Sequence, residues 1–320
     1  MKMNTPLYWK EKNLKSYLLK PFGAVYGFIT GLRVRFQKPK HVNIPVVCIG
    51  NLTAGGSGKT PVALSVMRLM KKKYRNPMFV SRGYGGKLKD IMVNRQEHTA
   101  EQVGDEPLLL SRLAPTIINP NRYKAAEKAF EEGADAIVMD DGFQNQTLVK
   151  DLSFLVFDGE AGIGNGFCLP AGPMREKFEE GIKRADAVII LGEDKSDIQA
   201  EIVGIPVFHG KVLPVSKPVF SKNVIAFAGI GRPQKFYDSL LDFGADLIAT
   251  RDFPDHHKYK EEELLDLIDF AKSTHSDLYT TTKDYVKIPY HLRAEFKVLE
   301  VGIKWQEESK LIEFICSRLF

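Results

Sequence analysis

The sequence predicts an α/β protein in which a mostly parallel sheet is flanked by helices, with a second, smaller α/β lobe and an N-terminal amphipathic helix. Short apolar runs alternate with helix-like segments from residue 46 almost to the end, which is typical of strands joined by crossover helices. Residues 213–223 contain proline and serine without a clear period, so they mark a hinge. The predicted organisation is therefore a membrane-associating segment at 1–40, a core at 41–215 and a second lobe at 216–320.

The composition is that of a globular protein with ample material for a core. Of its 320 residues, 44% are hydrophobic and 27% are charged. Cys48, Cys168 and Cys316 are too few and too scattered for a disulfide framework or a zinc site, so we expect a reducing compartment. The net charge of +5 is uneven, because residues 1–40 hold nine Lys/Arg and one acid, whereas the remainder holds 36 basic and 39 acidic residues.

The basic N-terminal segment also carries an apolar stripe. Its apolar residues recur at spacings of three and four and so share one helical face: Leu14, Leu18, Phe22, Val25, Ile29, Leu32 and Phe36. A basic amphipathic helix suits an anionic membrane surface better than a nucleic acid. The alternative is a helix that packs on the protein's own core, since both uses share this spacing.

The same segment is not predicted to cross a membrane. Residues 17–32 are mostly apolar, but they include Lys20, Pro21 and three glycines and fall short of the roughly 20 residues that a span requires. No small-residue cleavage site follows before the charged run at 33–40, so a secretory signal is not predicted either.

A phosphate-binding loop is predicted directly after the first strand. The apolar run at 46–49 stops at a glycine, and the glycine-rich turn that follows leads into a helix at 59–73. Such a loop turns its N–H groups inward and forms an anion site at the start of the helix. The residues that form it are Thr53, Gly55, Gly56, Ser57, Gly58, Lys59 and Thr60.

Two residues of this loop have chemistry suited to a nucleotide. Lys59 supplies a positive charge for terminal phosphates, and the Thr60 hydroxyl is an oxygen ligand for phosphate-bound Mg²⁺. The general P-loop pattern has glycine where this chain has Thr53, but the strand, the glycines and the following helix give the context that the motif requires. The fold class is therefore predicted to be P-loop NTPase-like.

The next segments bring further polar residues to strand ends. A strand from residue 78 runs into a loop with Arg82 and Tyr84, where ligands of open α/β sheets collect. Asp105 precedes an apolar helical stretch with Pro107 in its first turn, and by sequence alone it is expected to be the N-cap. A short strand near 115–120 and a helix at 122–132 follow.

Two adjacent carboxylates end the apolar run at 136–141. In a P-loop protein, acids after such a strand lie across from the phosphate loop, where one of them holds Mg²⁺ or a water molecule bound to it. Asp140 and Asp141 are therefore predicted to be metal ligands, although acids after a strand are often only turn formers. Further strands are predicted at 152–159, 187–192 and 206–212.

The loop at 160–176 is rich in glycine and ends in two charged residues. Its glycine spacing does not match a dinucleotide fingerprint, because the third glycine comes too early and no regular helix follows. Arg175 could clamp a phosphate and Glu176 could position a hydroxyl. The alternative for both residues is a surface ion pair.

The second lobe continues the alternation of strands and helices. Its predicted helices are at 233–243, 261–274 and 306–320, and its predicted strands are at 246–251 and 277–281, after an apolar run from residue 224. Asp255, His256 and His257 follow a strand. A metal site is one interpretation, although adjacent histidines cannot easily face one ion. A histidine paired with a carboxylate for acid–base chemistry and a hydrogen-bonded surface turn are the others.

Taken in order, these motifs resemble the tetraacyldisaccharide 4′-kinase family, whose members phosphorylate a membrane-bound acylated glucosamine disaccharide of the lipid A pathway. The matching segments are GNLTAGGSGKTP from Gly50, SRGYGG from Ser81, VGDEP from Val103, DDGFQ from Asp140, LPAGPMRE from Leu169, FPDHH from Phe253 and TTTKDYVK from Thr280. They span most of the chain. Thr53 agrees, because the family carries threonine where the general P-loop has glycine.

The resemblance implies an ATP-dependent lipid kinase with ATP and Mg²⁺ as cofactors. It implies that Asp105 acts as base with His256 as its partner. It further implies substrate-binding or supporting roles for Tyr84, Glu106, Arg122, Gln144, Arg175, Glu176 and Asp255. The implied partners are the lipid substrate and the inner-membrane surface, on whose cytoplasmic face the protein would be peripheral, without nucleic acid or an obligate protein partner.

One position departs from the family pattern. The family often has an acidic residue where this chain has Thr282, so no role is assigned to Lys283 or Asp284. A rival function is a P-loop GTPase or ATPase switch at the membrane surface, but guanine specificity usually requires an acid where Tyr285 stands. A membrane-surface protein with a vestigial nucleotide site is a third possibility, which the intact loop and paired acids oppose.

Overall fold

The computed structural model describes residues 6–220 and 222–319, apart from the side chain of Arg33. Two sheets organise this part of the chain. The strands are β1 (Val46–Gly50), β2 (Pro77–Ser81), β3 (Ile91–Met92), β4 (Thr116–Ile118), β5 (Ala136–Asp140), β6 (Leu152–Asp158), β7 (Ala187–Leu191), β8 (Val207–Pro214), β9 (Val224–Ala228), β10 (Leu247–Asp252), β11 (Asp277–Thr281), β12 (Lys297–Leu299) and β13 (Val301–Trp305).

Helices connect and cover the strands. They are α1 (Leu14–Phe36), α2 (Lys59–Met70), α3 (Ala100–Val103), α4 (Asp105–Leu110), α5 (Arg122–Glu131), α6 (Phe178–Ile182), α7 (Pro233–Asp242), α8 (Glu261–Ser273), α9 (Thr282–Tyr285) and α10 (Glu308–Leu319). Short 3-10 helices lie at Leu7–Trp9, Ile198–Glu201 and Tyr290–Glu295.

The larger sheet has nine strands in the order β13-β8-β7-β6-β1-β5-β2-β4-β3. Only its two edge strands, β3 and β13, run antiparallel to their neighbours among the described residues. The central strand β1 is buried throughout, as expected for a parallel strand covered on both faces. Its register pairs Ile49 with Asp140 of β5, so the loops after these two strands meet at one edge.

The smaller sheet has four parallel strands in the order β10-β9-β11-β12. Its core is separate from that of the larger sheet and includes Phe227, Leu264 and Leu278. The α/β fold with a second lobe is therefore confirmed. The predicted elements are present, with ends displaced by a few residues, whereas the strands β3, β12 and β13 and the short helices α3, α6 and α9 were not predicted.

The end of the chain corrects the predicted domain boundary. We assigned residues 216–320 to the second lobe, but β13 pairs with β8 of the larger sheet, and α10 packs on the first lobe through Leu311 and Ile315. Trp305 donates a buried hydrogen bond from Nε1 to the Ser65 hydroxyl at 3.0 Å. The chain returns because β8 leaves an edge and an apolar face that β13 and α10 cover. The predicted Phe320 end of this helix lies outside the described residues.

The N-terminal helix α1 faces the protein with its small residues and the solvent with its large apolar ones. Ser16, Gly23 and Gly27 are buried, and a Cβ at Gly23 would lie 2.6 Å from the carbonyl oxygen of Cys168. The seven residues of the predicted stripe are exposed by 36% to 78%. The alternative that the stripe packs on the protein's own core is therefore wrong. In the described residues, no helix is long and apolar enough to span a bilayer.

Candidate active site

The phosphate loop joins β1 to α2 and is held in place by hydrogen bonds. Asn51 donates from Nδ2 to the Ser57 hydroxyl at 2.8 Å and to the Thr53 carbonyl at 2.7 Å. Thr53 also forms a bridge with Met174, so the residue that departs from the general motif connects the loop to residues 168–176. Gly58 has a φ of 80°, which a side chain would strain, and it leads directly into α2.

The two predicted metal ligands lie beside this loop. The Thr60 hydroxyl donates to Asp140 Oδ2 at 3.0 Å, and Lys59 Nζ lies 3.6 Å from Asp141 Oδ1. Burial, with a further contribution from Glu106, raises the pKa of Asp140 to about 7. Burial also opposes ionisation of Asp141, but the charges of Lys59 and Arg175 outweigh it and lower its pKa.

The residues present fit a divalent cation that is held jointly with a nucleotide. The buried Oδ1 of Asp140 has no hydrogen-bond partner among the described residues, although Oδ2 of the same carboxylate is paired. Oxygen donors of this type are the ligands that Mg²⁺ prefers, and it commonly takes its remaining ligands from phosphates and water. The described part of the chain contains no cluster of three or more His, Cys, Asp or Glu side chains placed to hold a metal.

A polar network continues from Asp141 toward the loop at 168–176. Arg175 donates from Nη1 to Asp141 Oδ1 at 2.9 Å, so it faces the phosphate loop. Gln144 donates to the Asn51 carbonyl at 2.7 Å and to Glu176 at 3.1 Å. Glu176 is buried and pairs with Arg184, a residue that sequence reasoning missed. Arg175 and Glu176 thus have different partners instead of forming the surface ion pair that was the alternative.

Arg122 is a buried residue close to the same polar network, since the charge of Asp141 acts on it. It is the first residue of α5 and is only 2% exposed. Its Nη1 donates to the Asn119 carbonyl at 3.0 Å, whereas its Nε has no partner among the described residues. Burial lowers the pKa of Arg122 to about 10 despite the opposing charge of Asp141. A buried guanidinium with an unused donor is expected to bind an acceptor from the cleft.

The predicted acid–base pair is formed across the two lobes. His256 donates from Nδ1 to Asp105 Oδ2 at 2.9 Å, and Asp105 Oδ1 lies 3.1 Å from the same nitrogen. Burial alone would raise the pKa of Asp105, but the hydrogen bond from His256 and the charge of Lys283 lower it to about 2. The hydrogen bond to Asp105 in turn raises the pKa of His256.

The structure corrects the expected helix cap at Asp105. The N-cap of α4 is Gly104, whose φ of 93° suits glycine, and Asp105 is the first helical residue. Asp105 accepts one local hydrogen bond, from the N–H of Glu106 at 3.0 Å. Its carboxylate is otherwise directed at His256. A Cβ at Gly104 would lie 2.5 Å from the carbonyl oxygen of Tyr84, so this loop packs closely against the loop that carries Tyr84.

Of the two aromatic side chains of Tyr84 and His257, that of Tyr84 contacts the His256 ring, whereas that of His257 binds a different partner. Tyr84 is 60% exposed and lies edge-on to His256, with ring centroids 5.8 Å apart. His257 donates a hydrogen bond from Nε2 to Glu263 Oε2 at 2.9 Å, away from Asp105. The adjacent histidines therefore have separate partners, and the interpretation of this segment as a metal site is wrong for the described residues.

Lys283 belongs to the cleft, although the sequence assigned it no role. Its Nζ lies 3.2 Å from His256 Nε2, 3.1 Å from Asp255 Oδ1 and 3.9 Å from Asp105 Oδ2. Because an ammonium group can only donate, Nε2 accepts, and the ring proton of a neutral His256 is on Nδ1. The signal was present in the motif TTTKDYVK, which includes Lys283, but only the fold shows that this lysine faces the acid–base pair.

Asp284, also left without a role, organises the loops behind Lys283. It is fully buried, and its Oδ2 accepts hydrogen bonds from the Gly229 N–H at 3.0 Å and the Thr281 hydroxyl at 2.7 Å. Tyr259 donates to Oδ1 at 2.9 Å. The carboxylate therefore joins the ends of β9 and β11 to the segment after His257 and fixes the edge of the sheet that faces the first lobe.

A charged contact holds the two lobes together on the other side of the phosphate loop. Asp158, at the end of β6, accepts from Arg232 at 3.0 Å and from Lys235 at 2.9 Å. Both cations lie at the start of α7 in the second lobe. Gly231 lies near the phosphate loop, since a Cβ there would be 3.7 Å from the Gly56 nitrogen. The carboxyl ends of the strands in both sheets thus face one cleft.

Fold and site together define a P-loop nucleotide-binding α/β protein with a carboxylate–histidine pair facing the nucleotide loop. A sequence profile of the family described as tetraacyldisaccharide-1-P 4′-kinase (LpxK) matches residues 15–319. The chain therefore belongs to this kinase family.

Individual relatives are similar to this chain over most of its length. The tetraacyldisaccharide 4′-kinase of Rhodospirillum centenum is 41% identical over 319 residues, which cover 97% of this chain and 95% of the relative. The enzyme of Parvibaculum lavamentivorans is 44% identical over 299 residues, with coverages of 90% and 87%. The crystal structure of LpxK from Aquifex aeolicus in complex with ATP is 29% identical, has a TM-score of 0.79 and covers 96% of this chain and 100% of its own.

Proposed function

We propose that this protein transfers the γ-phosphoryl group of ATP to the 4′-hydroxyl of a tetraacyl glucosamine disaccharide 1-phosphate, in lipid A biosynthesis. The observation that supports the proposal is the hydrogen bond between Asp105 and His256, one residue from each lobe, which together would form an acid–base pair. Transfer to a sugar hydroxyl requires a proton acceptor late in the reaction.

The phosphate loop and its neighbours would hold the nucleotide. Backbone N–H groups from Gly55 to Thr60 form the cradle, and Lys59 would exchange its contact with Asp141 for terminal phosphate oxygens. Thr60, Asp140 and Asp141 would hold Mg²⁺, which when bound neutralises charge on the phosphates. Arg175 would stabilise charge on the transferred group, because its guanidinium binds Asp141, which also contacts Lys59 of the loop.

The acid–base pair would act on the acceptor. Asp105 is an ionised carboxylate at neutral pH, and His256 keeps it oriented through Nδ1. The sugar hydroxyl must lie in line with the transferred group, so positioning contributes most of the rate. Tyr84, Arg122, Gln144 and Glu176 are assigned to acceptor binding. Asp255 and Glu106 support the site, since Asp255 binds Lys283 and Glu106 follows Asp105.

Helix α1 is suited to binding the membrane in which the acceptor lipid resides. A four-chain lipid stays in the bilayer, and the exposed apolar stripe, bounded by basic residues, is suited to the boundary between headgroups and acyl chains. We place the protein as a peripheral protein on the cytoplasmic face of the inner membrane, where ATP is present.

The experiment is incubation of the full chain with Mg²⁺, a tetraacyldisaccharide 1-phosphate in detergent micelles, and γ-labelled ATP or GTP. Label is expected in the lipid from ATP. Lys59→Ala should reduce the rate by roughly a hundredfold or more, since the lysine stabilises charge chiefly in the transition state. Lys73→Ala, a matched change at the exposed end of the same helical region, should leave the rate unchanged. Undiminished labelling by Lys59→Ala, or no labelling by the wild type, would reject the proposal.

A further inference from the structure

A second polar cavity lies at the same edge of the large sheet, outside the cleft that holds Asp105. Its volume is about 260 Å³. It is an open pocket between the chain that follows α1, the start of α5 and the loop after Gln144. The residues that line it include Lys38, Lys40, Asn121, Tyr123, Lys124 and Thr147.

Three ammonium groups dominate this cavity. Lys40 Nζ lies 4.8 Å from the centroid of the Tyr123 ring, and Lys38 and Lys124 are exposed at the rim. In the part of the chain that the structure describes, none of the three has a carboxylate within 4.0 Å. The acid among the lining residues, Glu127, accepts a hydrogen bond from the Tyr123 hydroxyl. The cavity therefore presents an excess of positive charge that the protein does not neutralise.

Hydrogen bonds fix parts of the main chain that surrounds the cavity, whereas the long lysine side chains are not fixed in this way by any described residue. Lys40 donates its N–H to the Thr147 carbonyl at 3.0 Å and accepts from the Val149 N–H at 2.9 Å. The Tyr123 N–H donates to the Thr147 hydroxyl at 3.3 Å, and Asn121 caps α5 through its side chain. Lys40 and Lys124 are thus carried by backbone that is held in a constant arrangement, which lowers the entropic cost of binding an anion.

The cavity is next to both the acceptor residues and the membrane-facing helix. Asn121 precedes Arg122, and Thr147 lies three residues after Gln144. On the other side, α1 ends at Phe36, which is 76% exposed, and Lys38 follows two residues later. If the apolar stripe lies at the boundary between headgroups and acyl chains, the three lysines lie at the level of the phosphates.

We propose that Lys38, Lys40 and Lys124 form a binding site for a phosphate carried by a lipid. This proposal rests on the proposed function. The source that the geometry favours is the 1-phosphate of the acceptor. Two sugar rings separate this phosphate from the 4′-hydroxyl, so the phosphate must lie outside the catalytic cleft. The cavity is beside that cleft. The other source of the same chemistry is the phosphate of a membrane phospholipid.

The first arm of the test removes phospholipid. The double variant Lys38→Gln/Lys124→Gln is compared with wild type in non-ionic micelles, with the phosphorylated acceptor and with the same lipid lacking its 1-phosphate. If the acceptor supplies the phosphate, the variant raises KM for the phosphorylated lipid about tenfold with little change in kcat, and it has no effect on the lipid without phosphate. Lys38→Arg/Lys124→Arg should restore the wild-type KM.

The second arm measures sedimentation with phosphatidylglycerol vesicles in the absence of acceptor. If a phospholipid supplies the phosphate, binding by the double variant falls about tenfold while KM in micelles is unchanged. The matched control is Lys211→Gln/Lys304→Gln, which removes the same charge from an exposed pair on β8 and β13. It should change neither quantity.

The site is rejected if the double variant behaves like this control in both arms. That result is distinguishable from a failure of the proposed function, in which the wild type itself transfers no phosphate to either lipid. Thermal denaturation of each variant shows whether it is folded.

Discussion

Asp105 and His256 are 151 positions apart in sequence, yet Oδ2 of the one and Nδ1 of the other are 2.9 Å apart. Each residue belongs to a different lobe, so the pair exists only when the lobes are together. His256 has a φ of 57°, a strained backbone conformation for a residue other than glycine. Strain of this kind, of about 1–3 kcal/mol, is retained where the surroundings hold a side chain in a required position.

The first prediction tests whether this pair acts as one unit. Asp105→Ala and His256→Ala should each lower kcat strongly with a smaller change in the KM for ATP, because neither residue is assigned to nucleotide binding. The double variant should be little worse than the poorer single variant, since groups that act together are not additive. Initial rates of the four proteins measure this, and multiplicative losses would contradict the pairing.

The substitution Asp105→Asn distinguishes a catalytic role of this carboxylate from a purely structural one. Asp105→Asn keeps the size and the local hydrogen bond to the Glu106 N–H but removes the proton acceptor. If Asp105 is the base, transfer should slow by roughly a hundredfold or more. Full activity in Asp105→Asn would show that the carboxylate has only a structural role.

The second prediction concerns pH. The active form has a neutral His256, so kcat/KM should rise with pH through the pKa of this residue, which the hydrogen bond to Asp105 holds above its ordinary value of 6.5. Lys283 opposes protonation of His256, whereas Asp255 favours it. The acidic limb should therefore move to higher pH in Lys283→Met and to lower pH in Asp255→Asn. Equal shifts in one direction, or none, would show that the limb reports another group.

The third prediction concerns the apolar stripe of α1. Leu18→Gln, Phe22→Gln and Ile29→Gln change residues that are 59–68% exposed, so folding should be unaffected. Pelleting with anionic vesicles should fall tenfold or more, because the buried apolar area on the membrane is lost. Val203→Gln, Val215→Gln and Val219→Gln, which change apolar residues that are 58–82% exposed outside α1, serve as the control. If both triple variants pellet as well as wild type, α1 does not bind the membrane.

The fourth prediction tests the return of the chain to the first lobe. Leu311 is fully buried against the first-lobe core, so Leu311→Ala should lower the free energy of unfolding by about 2–5 kcal/mol. Leu265→Ala, in an exposed position on α8, should cost far less. Chemical denaturation measures both changes. If Leu311→Ala were as stable as Leu265→Ala, α10 would not contribute to the core as described.

Local patterns in the sequence determined most of the strands, the phosphate loop and the existence of the α1 stripe. This was possible because each depends on near neighbours: β1 is an apolar run, Gly58 precedes Lys59, and the stripe follows helical spacing. The side chains of Thr60 and Asp140 could be placed together because β1 and β5 are parallel strands of a P-loop fold, and Ile49 does pair with Asp140.

Only the tertiary structure decided which distant residues meet. The sequence favoured Asp105 as a helix cap and gave Lys283 no role, because capping is a local signal whereas the contacts of both with His256 depend on how two sheets face each other. The same holds for the end of the chain. The apolar spacing of α10 predicted a helix, but any apolar face of suitable shape could cover it, and the edge that β8 leaves open determined that the first lobe does so.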